Sequence, residues 1–126
     1  PETLTEEAQG DLAGTIIYGS ESIRRLPMTE TSRNLDTKSW TTLYSDNNWF
    51  NEIATITNKM GNPGSIYVRV VAYDKNKTAH TIVSKSPEIG VGASYETPVI
   101  DRDYAKYTVS IMAASEDGTY SIRYHD

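Results

Sequence analysis

The sequence contains no cysteine and only two histidines. Its 126 residues therefore form no disulfide bond and offer no thiolate for a metal site or for nucleophilic catalysis. The histidines, His80 and His125, are far apart in the chain, and His125 is next to the last residue. Common catalytic motifs are missing as well, since there is no G-x-S-x-G, no H-E-x-x-H and no glycine-rich phosphate loop. These absences argue against an enzyme.

Basic residues and long apolar runs are also scarce. The 12 Lys and Arg are outnumbered by 17 Asp and Glu, which gives a formal net charge of -5. Nucleic-acid binding draws on clustered Lys and Arg, and the only adjacent basic pair is Arg24 and Arg25, so we expect no nucleic-acid partner. No apolar run approaches the roughly 20 residues that span a bilayer.

Tyrosine supplies much of the apolar bulk that is present. Nine Tyr and two Trp accompany a single Phe, among many Thr, Ser and Asn, and this composition favours strands over helices. We expect residues 1–14 to be a polar leader or linker and residues 15–126 to be one β-sandwich domain. An acidic, cysteine-free β domain behind a polar segment is typical of secreted or cell-surface bacterial proteins, so we expect that location.

The clearest strand is Ser65–Tyr73. Its apolar residues alternate with a period of two, which predicts one buried face. That face comprises Ile66, Val68, Val70 and Ala72. The polar run Asp74–Lys77 predicts a turn, and Thr78–Ser84 is the expected hairpin partner. We expect this strand to lie in the middle of a sheet.

The end of the chain predicts a second hairpin. Tyr107–Ser115 and Thr119–Tyr124 alternate, and Asp117-Gly118 between them is typical of a primed two-residue turn. That turn would place Ala113 opposite Ile122. It also brings a set of apolar residues to one face. The set is Ile111, Ala113, Tyr120, Ile122 and Tyr124.

The order of strands and turns predicts the fold class. About eight short strands, with no helical period outside the leader, indicate an antiparallel β-sandwich, immunoglobulin-like or jelly-roll-like, with a partly open β-barrel as the alternative. Met28–Thr37 has no apolar pattern and is predicted to be a long loop. Pro98 cannot donate to a ladder, so Ser94–Ile100 is expected at a sheet edge or bulge. No family motif is recognisable.

The stretch LYSDNNWFNE, residues 43–52, is the main candidate for a binding site, because it places two aromatic side chains beside a polar run. We expect a hairpin turn in which Phe50 and the earlier Trp40 point into the core, while Trp49 is exposed. The candidate ligand-binding residues are Trp49, Asn48, Asn47 and Tyr44.

The same stretch is a weak candidate for a calcium site, because carboxylate and amide oxygens are the ligands that calcium prefers. The candidate ligands are Asp46, Asn48 and Glu52. An EF-hand loop would need an oxygen ligand at Phe50 and a glycine at Asn51, and neither is present. An ordinary Asx-rich turn also explains the sequence, and no other cofactor is indicated.

Two carboxylates at Asp101 and Asp103 share a face if the backbone is extended. Arg102 and Lys106 nearby favour a solvated charge cluster over acid-base catalysis. Our leading hypothesis is therefore a non-catalytic secreted or cell-surface domain that recognises a glycan or protein. The alternatives are a small secreted hydrolase or inhibitor using loop carboxylates and His80, and a structural subunit that assembles through the edge strand near Pro98.

Overall fold

The computed structural model describes residues 28–48 and 50–125, together with the backbone of 15–18 and 21–24. The predicted leader, residues 1–14, and Trp49 lie outside this part. The described residues form eleven strands and no helix long and apolar enough to cross a membrane. The strands are β1 Thr15–Tyr18, β2 Glu21–Arg24, β3 Met28–Leu35, β4 Thr41–Asn47, β5 Asn51–Glu52, β6 Thr55–Asn58, β7 Ile66–Tyr73, β8 Ala79–Val83, β9 Ser94–Glu96, β10 Lys106–Ala113 and β11 Gly118–His125.

Two antiparallel sheets of four strands make up the domain. The first sheet has the order β4-β10-β7-β8, and the second has the order β3-β11-β6-β9. A small third sheet, β1-β2-β5, contains the parallel pair β2 and β5. The predicted antiparallel β-sandwich is confirmed, since the two main sheets are separate and do not close into the alternative barrel.

The core lies between the inward faces of the two sheets. The predicted face of β7 is fully buried, β7 occupies an interior position, and it pairs with β8 as expected. Strand β10 supplies Tyr107, Val109, Ile111 and Ala113 to the same core. Burying each large apolar side chain contributes about 1.5–3 kcal/mol, so this period-two pattern is the main source of stability.

The predicted hairpin at the end of the chain is wrong in its pairing but right in its faces. Ile111, Ala113, Tyr120, Ile122 and Tyr124 are all buried, yet β10 and β11 belong to different sheets. The link between them crosses the sandwich, and the Ala114 amide donates to the Ser65 carbonyl. Alternation fixes which side chains point inward, but two such strands can face each other across a core as well as pair side by side.

The predicted loop over Met28–Thr37 is wrong. Residues Met28–Leu35 form β3, which pairs with β11 along its whole length. Its side chains are polar on both faces, and Leu35 alone is buried, so no alternation marks the strand in the sequence. The backbone hydrogen bonds that β11 offers make it a strand.

The predicted hairpin in the stretch 43–52 is also wrong. Strand β4 ends at Asn47, and β5 pairs with β2 in another sheet. Phe50 is 42% exposed, which contradicts its predicted place in the core, and Trp40 is half-buried beneath the Arg69 guanidinium. This stretch leads from β4 of the first sheet to β5 of the small third sheet.

Candidate functional site

The described ligand candidates from the sequence separate into interior and surface residues. Tyr44 is 8% exposed, and its ring stacks on that of Tyr124 with centroids 4.5 Å apart. Asn48 is 4% exposed, and its side-chain amide donates to the carbonyls of Asp101 and Tyr104 at 2.6 and 3.0 Å. Asn47 is exposed, so it is the one described candidate that lies at the surface.

The candidate calcium ligands differ in how their side chains are bonded. Asp46 Oδ1 accepts the Asn47 amide at 2.9 Å, whereas Asn48 donates to loop carbonyls through its side-chain nitrogen and its buried Oδ1 has no hydrogen-bond partner among the described residues. Glu52 is 5% exposed and accepts a hydrogen bond from the Tyr107 hydroxyl at 2.9 Å. Burial raises the pKa of the Tyr107 phenol far above its ordinary value, so this hydroxyl is a permanent donor. In the described ranges, no three His, Asp or Glu side chains come together.

His80 and the loop carboxylates stabilise turns through hydrogen bonds. His80 Nε2 lies 2.9 Å from Asp74 Oδ2, and the other Asp74 oxygen accepts the amides of Asn76 and Thr78 at 2.8 and 3.0 Å. The His80 hydrogen bond is the main cause that lowers the pKa of Asp74. Asp101 accepts the Asp103 amide at 2.7 Å in a separate turn.

The edges of the two main sheets are a second place where this fold can meet a partner, because edge strands can present unpaired backbone groups. Among the described residues, each sheet has two edges, which belong to β4 and β8 in the first sheet and to β3 and β9 in the second.

The β8 edge is short and irregular. Val83 pairs with Val70 and Thr81 pairs with Val71, so one residue of β8 is extra and forms a bulge. Beyond it, Ser86 bonds the neighbouring strand twice: its amide donates to the Val68 carbonyl at 2.9 Å, and its hydroxyl accepts the Val68 amide at 2.8 Å. That hydroxyl donates to the carbonyl of Pro87. We call this arrangement a hydroxyl-proline clamp.

The β9 edge ends in a second hydroxyl-proline clamp. The Thr97 amide donates to the Ala54 carbonyl at 3.0 Å, the Thr97 hydroxyl accepts the Ala54 amide at 3.1 Å, and the same hydroxyl donates to the Pro98 carbonyl. Strand β9 has only three residues. The prediction that Ser94–Ile100 lies at an edge is therefore confirmed.

The β4 edge carries a bulge with its own cap. Tyr44 pairs with Val109 and Thr42 pairs with Ser110, so Leu43 is the extra residue. The bulge explains why both Leu43 and Tyr44 are buried although they are adjacent in the strand. The Leu43 carbonyl accepts a hydrogen bond from the Arg33 guanidinium at 2.9 Å.

The β3 edge has no bulge and no hydroxyl-proline clamp. The strand has eight residues, contains no proline and pairs with β11 in unbroken register. In the part of the chain that the structure describes, no strand pairs with its outer side. We call this outer side the open edge.

Charged side chains often guard an edge, and those of β3 bond to groups of the same chain. Glu30 binds Lys59 and Arg123 across the sheet, each at 2.7 Å. The Arg33 guanidinium donates to the Leu43 carbonyl of β4, and it also donates to the Ser32 carbonyl and the Thr31 hydroxyl of its own strand. The centre of the open edge also carries three uncharged polar residues, Thr31, Ser32 and Asn34.

Comparison with known proteins gives no family. No protein-family model matches the chain, and no curated protein matches it. Among solved structures, the chain is similar to a protein of Bacillus endospore appendages, described as a novel family of disulfide-linked pili (16% identity, 79% of this chain and 83% of that chain, TM-score 0.40). It is also similar to the SPBc2 prophage-derived protein YomS (11% identity, 79% and 96% coverage, TM-score 0.40). Similarity this distant carries no functional argument.

Proposed function

We propose that this chain is a non-catalytic, extracytoplasmic interaction domain that joins a second copy of itself through the open edge of β3. The observation that carries the proposal is the contrast between edges: β4 and β8 are bulged and β9 is short, whereas β3 is long and regular, and residues 30–35 meet no strand on their outer side in the part of the chain that the structure describes. An edge of that kind is a template for strand pairing.

A second copy fits the open edge because the strand is compatible with itself. Two β3 strands related by a two-fold axis pair antiparallel, with residues of the same face opposite each other. If Ser32 lies opposite Ser32 of the second copy, Thr31 meets Arg33 and Glu30 meets Asn34. No like charges are then opposed, and Glu30 is already neutralised by Lys59 and Arg123. Two four-stranded sheets thereby become one sheet of eight.

The other polar groups support a non-catalytic role. His80, Asp74 and Asp101 hold turns, and Glu52 holds Tyr107 in the interior. The extracytoplasmic location is supported by the cysteine-free, acidic composition. The edge near Pro98, which the sequence suggested for assembly, offers a strand of only three residues, so assembly is assigned to β3 instead.

Sedimentation velocity over a concentration series tests the proposal. Pairing of one strand buries little area, so we expect a reversible dimer with a dissociation constant above about 1 μM. Ser32→Glu places two like charges opposite each other and should weaken dimerisation at least about tenfold. Because Ser32 is exposed, the melting temperature should stay unchanged. Ser32→Lys should weaken dimerisation in the same way.

A mixture supplies the decisive result. Ser32→Glu and Ser32→Lys chains, mixed in equal amounts, should form a heterodimer, because opposite charges now meet. Thr81→Glu, at an exposed position of the bulged β8 edge, is the matched control and should dimerise like the wild type. A chain that stays monomeric at millimolar concentration, or a mixture that fails to associate while the wild type dimerises, contradicts the proposal.

A further inference from the structure

A concavity of about 510 Å³ opens where the β7–β8 turn meets the ends of β4 and β10. This volume suits a sugar-sized ligand. The lining residues come from three separate parts of the chain: Asn47, Tyr73, Asp74, Lys75, Lys77, Ala105, Lys106 and Thr108. Asn47 is thus both the surface-exposed candidate from the sequence and part of the wall.

The charge of the wall is positive. Lys75, Lys77 and Lys106 line it, in a chain whose formal net charge is -5. Lys106 Nζ lies 6.0 Å from the centroid of the Tyr73 ring. Asp74 is the one carboxylate of the wall, and both of its oxygens are already bonded within the turn, to two amides and to His80. The three ammonium groups therefore determine the potential that a ligand meets.

The backbone at Lys77 gives an independent indication. Its φ is +65°, the one positive φ at a residue other than glycine in the part of the chain that the structure describes. The Lys77 amide donates to the Asp74 carbonyl at 2.9 Å and closes the turn, a position where glycine or asparagine is favoured. A lysine at a strained position on a cavity wall is explained if its side chain has a task there.

We propose that this concavity binds a sugar that carries a carboxylate, such as a uronic acid. The ammonium groups of Lys75, Lys77 and Lys106 provide the countercharge for the carboxylate. Asn47 and Thr108 provide polar groups for hydroxyls, and Tyr73 provides an aromatic surface for the ring. The site lies on the first sheet, away from the open edge of β3. Ligand binding at this site can therefore be tested independently of dimerisation.

Titration with D-glucuronate, followed through the backbone amides by NMR, tests this site. Glucuronate should shift the amides of residues 47, 73–77 and 105–108, whereas D-glucose should bind at least about tenfold more weakly because it lacks the charge. Lys106→Gln should weaken glucuronate binding about fivefold, as expected for one partly solvated ion pair. Lys85→Gln is the matched control: Lys85 lies over Tyr67 on the same sheet but outside the concavity, and binding should not change.

Lys77→Gly separates binding from folding. Glycine relieves the positive φ, so the melting temperature should rise while glucuronate binding weakens. A variant that binds glucuronate as tightly as the wild type contradicts the role of Lys77. Inorganic phosphate that shifts the same amides at equal affinity would show a site for anions alone and overturn the assignment to a sugar. The absence of any shift with glucuronate would overturn the site itself.

Discussion

The edges of the two sheets differ in how their backbone groups are satisfied. Beside β8 and β9, a serine or threonine that precedes a proline bonds both backbone groups of one residue, Val68 in β7 or Ala54 just before β6, and at β4 an arginine caps the bulge. At β3 the ladder with β11 is regular, and the outer backbone groups meet no strand in the part of the chain that the structure describes. The regular ladder is therefore interrupted by a bulge or is short at three edges, whereas at β3 it runs unbroken along the whole strand.

The two hydroxyl-proline clamps are equivalent although they lie in different sheets. In both, the residue before proline is held in extended conformation, since proline disfavours the helical region for its predecessor. This conformation lets its amide and its hydroxyl bond the carbonyl and the amide of one residue, Val68 or Ala54. The proline then prevents the strand from continuing, so pairing and termination come from two adjacent residues.

Removing both clamps should have the largest effect on stability. Ser86→Ala and Thr97→Val each leave a buried backbone amide without its acceptor, which costs about 1–3 kcal/mol. The double variant should lose the sum of the two, because the clamps share no partner. Urea unfolding measures the free energies. Thr42→Val, at an exposed position on β4, is the control, and a double variant as stable as this control would contradict the role of the clamps.

Removing the cap of the β4 bulge should have a smaller effect. Arg33→Met keeps the aliphatic bulk of the side chain but leaves the Leu43 carbonyl without its charged donor, and it should cost about 1–2 kcal/mol. The free energy of unfolding is measured in urea, with exposed Lys38→Met as the control. If the cap also keeps β4 closed, the variant should self-associate more readily in sedimentation velocity.

The smallest effect is expected at the turn that precedes β8, and it depends on pH. The pKa of Asp74 is lowered below its ordinary value of 3.8, chiefly by the hydrogen bond from His80. The ionised carboxylate therefore stabilises the fold above pH 3.8, and this contribution is lost as the pH falls through the lowered pKa. Asp74→Asn should lower the melting temperature at pH 6 but approach the wild type in acid. A difference that grows on acidification would contradict this assignment.

Much of the fold could be predicted from the sequence because it follows from alternation along one strand. The buried face of β7, its hairpin with β8 and the inward residues of β10 and β11 were all predicted correctly. The strand β3 could not be predicted, since its side chains are polar on both faces and its partner is about 90 residues away. The bulge at Leu43 escaped prediction for a similar reason, because it is defined by pairing with β10.

The candidate sites also combine residues that the sequence identified with residues that only the fold brings together. Asn47 was named from its own neighbourhood, but Lys75, Lys77 and Lys106 come together only after β7 and β10 pair. Pro98 was a visible signal of an edge, although the contact of Thr97 with Ala54 was not visible in the sequence.

The sequence by itself determined which side chains point inward, because a strand turns alternate residues to opposite faces and water excludes the apolar set. Only the tertiary structure decided which strands are neighbours, which edge meets no further strand among the described residues, and where Lys75, Lys77 and Lys106 lie together. Strand pairing uses backbone N–H and C=O groups, which nearly every residue has, so the side chains of one strand do not specify its neighbours. The arrangement of the whole chain does.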